Sequence, residues 1–437
     1  MKKHFQVVIV GGGSAGMMVA AQLIKREASL KVAIIDPSDK HFFQPLWPLV
    51  SADVFDIDYT QKAMSEVIPN GVTWIKAHTK YFLPERNSIS IDNNEQIYYD
   101  YLVVCPGIKI APELVEGLTE CMNKGVVCSN YNDPEFTRKV IDDFEGGTAL
   151  FTQPATPIKC SGAPQQTMYL ADALFKKKGI KKKTKIIYAI PSGSVFAVKE
   201  VKDNLMKVVD RKDINVRFFH KLVKVDGVKK IAWYEILKNQ SGAPENSDKQ
   251  IKDYINSSIQ YNYKDVKIIQ DGNLIGIHFD MMYLAPPQSA PDFIRNSPLS
   301  NELGWVAVNQ NTLQHLMFEN IFSLGDVAYL PTAKTYAAIT KQAPVVVDGI
   351  LQLMRNINFL PRKYDGYSSC QIATDKGKLI WAEFDYSKRF TPNPSLKKVF
   401  QIKDSSKKHR RLWLLKKYLM PYLYWNKALK GIEIWKN

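Results

Sequence analysis

Two groups of residues in this chain have types and spacings that could do chemistry. The first centres on Cys160, in the stretch TPIKCSGAPQQTMYLADALF at residues 156–175, where it stands in a loop just ahead of a helix-like run. Taken alone, it allows three readings: a buried apolar filler, a metal ligand, or a redox nucleophile. Pro164 suits the first turn of a helix, and a helix N-terminus close to a thiol favours its thiolate. The remaining cysteines are Cys105, Cys121, Cys128 and Cys370, an odd and sparse set that does not make a secreted disulfide framework. With no Cys-x-x-Cys pair, no metal site is expected.

The second group lies in FQVVIVGGGSAGMMVAAQLIKREASLKVAIIDP, which reads strand, turn, helix, strand. Phe5–Val10 is a continuous apolar run, as in a strand buried on both faces. It leads into Gly11-x-Gly13-x-x-Gly16. Gly11 permits the tight turn, Gly13 lets backbone approach a pyrophosphate, and Gly16 lets helix and strand pack closely. The pyrophosphate would sit at the helix N-terminus, where free N–H groups favour an anion. A second strand, Lys31–Ile35, ends at Asp36, 20 residues after Gly16, where a carboxylate is placed to bond an adenosine ribose. The expectation is a bound dinucleotide.

Two distant segments bear on which one. YDYLVVCPGIKI (99–110) is a strand running into a Pro106-Gly107 turn, and NIFSLGDVAYLPTAKT (320–335) is a strand ending at Gly325-Asp326. They resemble the second and third FAD motifs of the two-dinucleotide-fold flavoproteins. That resemblance implies FAD, with Asp326 bonded to the ribityl chain. A second dinucleotide fold is expected from TKIIYAI (184–190). The turn after it, PSGSVFAVKEV, has Gly193 alone where three glycines are needed, and Val195 and Phe196 crowd the phosphate positions. NAD(P)H binding is therefore expected to be lost. The Cys-x-x-x-x-Cys of the disulfide reductases is also missing; DKHFFQPLWPLVSADVF stands there, with His41 and Gln44-Pro45. His41 and His78 read as structural.

Together HFFQPLWPLV, TPIKCSGAPQQTMYLAD, GDVAYLPTAKTYAAITKQAPVV, KYDGYSSC, AEFDY and LMPYLYWNKALKG make the chain, from Val7 to Gly431, resemble the sulfide:quinone oxidoreductases, in the form found in mitochondria and some bacteria. The Cys160 loop, KYDGYSSC and the C-terminal block are more specific than the nucleotide motifs, which a whole superfamily shares. The resemblance implies FAD-dependent oxidation of hydrogen sulfide to sulfane sulfur, with electrons passed to a membrane quinone. It implies Cys160 and Cys370 as the catalytic pair. On that resemblance, hydrosulfide would attack the oxidised pair at Cys370, Cys160 would leave as a thiolate beside the flavin, and the sulfur would pass to a small acceptor such as sulfite, a thiol or sulfide; local chemistry leaves the order of attack between the two cysteines open. The implied cofactor-binding residues are Gly11, Gly13, Ser14, Ala15, Gly16, Asp36, Gln44, Thr79, Pro106, Gly107, Asp326 and Lys334, the last placed to neutralise reduced flavin. Cys370, in YSSCQ, has no local cue, and its role rests on the resemblance. Cys105 and Cys121 read as packing. So does Cys128, with a redox or flavin-linking role as the alternative.

These residues need elements to position them. A chain of 437 residues is too long for one ordinary core. The expected fold is α/β: two Rossmann-like dinucleotide-binding domains of the FAD/NAD(P)-linked reductase type, plus a C-terminal membrane-docking helical segment. The FAD domain is expected over 1–115 and 285–365, the second dinucleotide-like domain over 116–284, and a C-terminal region with Cys370 and amphipathic membrane helices over 366–437. Residues 238–263 read as a polar insertion, and the lysine-rich FKKKGIKKKTK (175–185) as a solvated loop.

The net charge of +16 favours an anionic partner. Residues 405–437 carry nine Lys or Arg against one acid, Glu433, with Trp413, Tyr418, Tyr422, Tyr424, Trp425 and Trp435 among them. The pattern predicts two short helices separated near Pro421, one striped with Leu412, Leu415 and Leu419, the other with Trp425, Ala428, Leu429 and Ile432. Basic and aromatic residues together suit a helix lying in a membrane interface. They would also suit single-stranded nucleic acid, but a lipid-soluble acceptor favours the membrane, and no nucleic acid is expected. No run of about 18 apolar residues predicts a spanning helix. The strand beginning within a few residues of Met1 leaves no room for a presequence, so the cytoplasmic face of a bacterial inner membrane is expected over the mitochondrial inner membrane. Homo-oligomerisation is left open. The rival readings are a type II NADH:quinone dehydrogenase and a non-catalytic flavin-binding scaffold.

Overall fold

The computed structural model describes residues 3–237, 266–357 and 362–434. The predicted insertion at 238–263 lies outside the described residues. Strand Lys3–Val10 runs through the middle of the first sheet, and its last four residues are at most 2% exposed. It pairs in parallel with Val32–Ile35 on one side and Gln96–Val104 on the other. Val72–Ile75 extends the sheet beyond Val32–Ile35, and Ile321–Ser323 pairs with the second half of Gln96–Val104. The antiparallel strands Thr79–Leu83 and Ser88–Ile91 finish the other edge. Uninterrupted apolar sequence is what a parallel strand covered on both faces requires.

The first strand hands the chain to helix Ser14–Arg26 through the glycine loop. A Cβ on Gly16 would stand 1.9 Å from the Gly11 carbonyl oxygen, so the helix can leave the strand this tightly only at a glycine. Helix Tyr336–Met354 packs against the helix so formed.

The second sheet is parallel, in the order Val127–Cys128, Met281–Leu284, Gly147–Thr152, Thr184–Ala189, Ile214–Arg217. Helix Gly162–Lys177 follows Gly147–Thr152 and buries Met168, Tyr169, Ala171 and Phe175 against this sheet. The turn after Thr184–Ala189 is filled: Val195 and Phe196 are buried, and a Cβ on Gly193 would meet the Phe219 ring at 2.6 Å. Helix Lys199–Arg211 begins only beyond this plug. An antiparallel four-stranded sheet, His220–Asp226, Ile231–Ile236, Leu274–His278 and Ile268–Asp271, is added to this half.

The C-terminal part opens with the hairpin Ser368–Asp375 and Lys378–Phe384. The helical tail differs from its expectation. Pro421 does not separate two helices: Arg410–Leu414 continues through a π turn, Leu415–Leu419, into Met420–Asn426. The wide turn just ahead of Pro421 absorbs the missing amide that would otherwise break the run. Among the described residues, no helix is long and apolar enough to cross a membrane.

One buried ion cluster ties the hairpin to the second sheet. Lys212 and Asp172 both have fully buried side chains, with Nζ 2.7 Å from Oδ2, and Lys212 also lies 3.5 Å from Asp375 at the end of the Cys370 strand. Lys176 and Lys181 complete the shell of Asp172. Burial raises the Asp172 carboxyl, but the three lysines outweigh it and hold the group below its ordinary value. Replacing Lys212 by Met should lower the stability measured by urea unfolding by about 3 kcal/mol, because a buried carboxylate loses a fully buried partner. The double variant Asp172→Asn, Lys212→Met should recover part of that loss; a double variant no better than the single would refute the pairing.

Candidate active site

Cys160 and Cys370 are brought together from 210 residues apart, with their sulfurs 3.4 Å from each other. Helix Gly162–Lys177 starts two residues before Pro164, so Pro164 occupies its third position, still within the first turn. Cys160 itself has φ +55°, a left-handed backbone uncommon for a side-chain-bearing residue. Its loop is held by Tyr131, whose hydroxyl donates to the Lys159 carbonyl at 2.9 Å, and by Gln288, whose Oε1 accepts from the Lys159 N–H at 2.7 Å. Cys370 lies opposite Ala382 in the hairpin and is 1% exposed.

The two thiols are not equivalent. The Cys160 thiol is lowered to about 7, first by a hydrogen bond from Cys370, against the opposing effect of burial, and then by the Lys416 ammonium and the N–H groups of Gly162 and Ala163. Cys370 is pushed well up, by that same hydrogen bond and by burial. The pair therefore reads as a Cys160 thiolate accepting from a Cys370 thiol.

Lys416, which no motif in the sequence marks, lies in the π turn with its ammonium buried. It donates to Gln166 Oε1 at 2.6 Å and to the Gln371 carbonyl at 3.0 Å. Burial lowers it to about 8, and the two cysteines oppose that. A signal was present: Lys416 falls at i, i+4 spacing between Leu412 and Met420, both buried, on what is otherwise an apolar face. Gln166 Oε1 also accepts from the Ala373 N–H at 3.0 Å, joining helix, hairpin and tail in one contact.

Two cavities meet here. One is lined by Gly12, Gly13, Ser14, Ala15, Asp36, Gln44, Pro106, Gly107 and Asp326, among others. A Cβ on Gly13 would meet nothing within 4 Å, which leaves the loop face open to a phosphate. The Asp36 carboxylate accepts from the N–H groups of Gly12 at 2.7 Å and Ser38 at 2.8 Å. The other is lined by Cys160, Lys416, Phe43, Trp47, Tyr131, Lys334 and Tyr336, among others. Both share Gln44, Pro45, Lys159 and Tyr336, so an elongated cofactor can reach from the glycine loop to Cys160. Lys159 spans the junction, its Nζ 2.7 Å from Asp326 Oδ2 and 2.7 Å from Gln44 Oε1. These residues fit a flavin dinucleotide.

Other expected site residues fall differently. Thr79 sits on an edge strand of the first sheet and is not among the residues lining either cavity; its buried hydroxyl has no hydrogen-bond partner among the described residues. Lys334 borders the second cavity but turns its ammonium to the Ala328 carbonyl at 3.1 Å and over the Trp305 ring at 4.2 Å. Burial lowers it to about 8. Cys128 is buried in the second sheet's core, where burial pushes its thiol up, and it lines neither cavity.

In reduced protein, alkylation of Cys160 by iodoacetamide should rise with pH to a half-point near 7, with Cys370 silent over that range. Lys416→Met removes a cation that favours the thiolate, so the half-point should climb toward about 8.5, the free-cysteine value. An unmoved half-point would show that Lys416 does not act on the thiol.

Residues 5–347 match the family model for pyridine nucleotide-disulphide oxidoreductases. The chain is 36% identical to the mitochondrial sulfide:quinone oxidoreductase of Mus musculus, over 98% of this chain and 87% of that protein. It is 37% identical to the mitochondrial one of Dictyostelium discoideum, over 100% and 88%. Among solved structures, the sulfide:quinone oxidoreductase of the bacterium Aquifex aeolicus superposes with TM-score 0.76 at 18% identity, covering 98% of this chain and 92% of that one. NDH2 from Plasmodium falciparum reaches 0.60 at 10% identity, covering both chains fully.

Proposed function

Since this chain belongs to the pyridine nucleotide-disulphide oxidoreductase family and, within it, to the sulfide:quinone oxidoreductases, we propose that it oxidises hydrogen sulfide to sulfane sulfur through Cys160 and Cys370, with FAD in the glycine-loop cleft and a membrane quinone as acceptor. The observation that carries the cysteine reading is the pair of sulfurs 3.4 Å apart, one lowered and one raised in pKa, with Cys160 on the wall of the cavity that meets the nucleotide cleft and Cys370 buried behind it.

Starting from the oxidised pair, HS⁻ attacks the Cys370 sulfur, the S–S bond breaks, and Cys160 leaves as a thiolate; the product on Cys370 is a persulfide. The lower-pKa thiol is the better leaving group, which favours this direction over attack on Cys160. The burial of Cys370 restricts the attacker to something as small as HS⁻. Lys416 and the N–H groups of Gly162 and Ala163 hold the charge that develops on Cys160. FAD held by the glycine loop, Asp36 and Asp326 would supply the two-electron oxidant for the pair and a route for those electrons to quinone, and the sulfur on Cys370 would pass to a small nucleophilic acceptor. Val195, Phe196 and Phe219 fill the turn where a nicotinamide dinucleotide would need open backbone, which supports sulfide over NADH as the reductant.

The tail supports membrane docking on a different stripe from the expected one. Leu412 is buried, whereas Leu414, Tyr418 and Tyr422 are 44%, 59% and 52% exposed at i, i+4, i+8. Arg410, Arg411 and Lys417 lie beside them in sequence, and each basic residue near an anionic leaflet adds about 1 kcal/mol. The Mus musculus and Dictyostelium discoideum relatives are mitochondrial, so a mitochondrial location fits them better than the bacterial membrane inferred from the N-terminus.

Anaerobic sulfide should bleach the flavin of the purified protein, and Cys160→Ser or Cys370→Ser should lower kcat/KM for sulfide on the order of 10³-fold or more. Bleaching by NADH but not by sulfide would overturn the reading. Tyr418→Ser with Tyr422→Ser should weaken sedimentation with anionic vesicles, and more so in high salt; unchanged sedimentation would move the docking face elsewhere.

A further inference from the structure

Tyr424 belongs to the same helical run as Tyr418 and Tyr422 but faces inward and is fully buried. Its hydroxyl lies 2.7 Å from Ser14 Oγ, at the first residue of the helix after the glycine loop, and 2.5 Å from His41 Nε2. His41 Nδ1 stands 2.9 Å from the Gly12 carbonyl, inside that loop. A carbonyl can only accept, so Nδ1 carries the ring proton and donates to Gly12. Nε2 is then bare and accepts from the Tyr424 O–H, whose oxygen is left to accept from Ser14. Burial lowers His41 to about 4, in keeping with a neutral ring.

Packing reinforces the chain of bonds. The Tyr424 ring stacks on Phe43 with centroids 4.0 Å apart and meets Tyr336 edge-on at 5.2 Å. Further along, Gly431 lies so close to the Ala21 backbone that a Cβ would stand 2.7 Å from it. Glu433 pairs with Arg26 at 3.3 Å in the last turn of the same helix. The tail thus grips helix Ser14–Arg26 at both ends.

We propose that Tyr424 is a positioning residue for the cofactor: it clasps the glycine loop through Ser14 and His41, so that flavin retention depends on the C-terminal segment. This rests on the reading of the cleft as an FAD site. In full-length apo-protein titrated with FAD, Tyr424→Phe should weaken binding about tenfold or more, while the apo-protein melts as wild type and sediments with vesicles as before. His41→Asn, which removes the other end of the bond, should show the same loss and keeps the test open should Tyr424→Phe misfold. Tyr418→Ser with Tyr422→Ser should do the reverse, losing vesicles and keeping FAD. The clasp is overturned if a folded Tyr424→Phe or His41→Asn protein binds FAD within about twofold of wild type, or if the outward-facing pair loses FAD equally. Wild-type protein that binds no FAD would instead remove the flavin reading beneath it.

Discussion

Helix Gly162–Lys177 and strand Ser368–Asp375 approach so closely that a Cβ at position 162 would stand 2.8 Å from Ile372 Cγ1 and 3.4 Å from the Cys370 Cβ. Any side chain there would wedge helix and hairpin apart. Much of the site follows from this contact. It sets Cys370 beside Cys160, directs the first N–H groups of the helix at the Cys160 sulfur, and lets Gln166, one turn along, bond the Ala373 amide. The ion cluster of Asp172, Lys212 and Asp375 fixes the far end of the same helix–strand pair. Between these two anchors the sulfurs have little freedom to drift.

The electrostatics are built on the same contact. An ammonium as buried as that of Lys416 is expensive to desolvate. Two oxygen acceptors and a neighbouring thiolate offset that penalty. The lysine favours the thiolate, and the thiolate in turn keeps the lysine charged. The charge comes from the tail, the partner from the hairpin and the dipole from the helix, so no one of these elements is a site without the others.

This division explains what could be read in advance. The glycine loop and Asp36 were legible because their spacing within one strand–turn–helix–strand unit is itself the physical constraint. Cys160 was half legible: a thiol before a helix signals reactivity, but nothing local names its partner, and Cys370 came only from resemblance to a family. Lys416 carries one signal, its place between Leu412 and Met420 on an apolar face, and that is faint in a tail with so many solvated lysines. Pro421 misled because a proline reads as a break, whereas a π turn beside it lets the helix run on. The expected stripe at Leu412, Leu415 and Leu419 chose an apolar face without knowing that the protein's own core would cover Leu412.

The tail helix is one helix thick between two very different surroundings. Tyr418 and Tyr422 look outward, while Lys416 and Met420, on the other side of the same turns, border the cavity that holds Cys160. The separation is therefore about 10 Å, the diameter of a helix with its side chains. With that stripe lying on a bilayer, a quinone could present its head to the cavity while its hydrocarbon chain stayed among the lipids. Turnover would then follow the number of quinones per lipid rather than per volume of water, and diluting the membrane with inert lipid would slow the enzyme even with total quinone held constant.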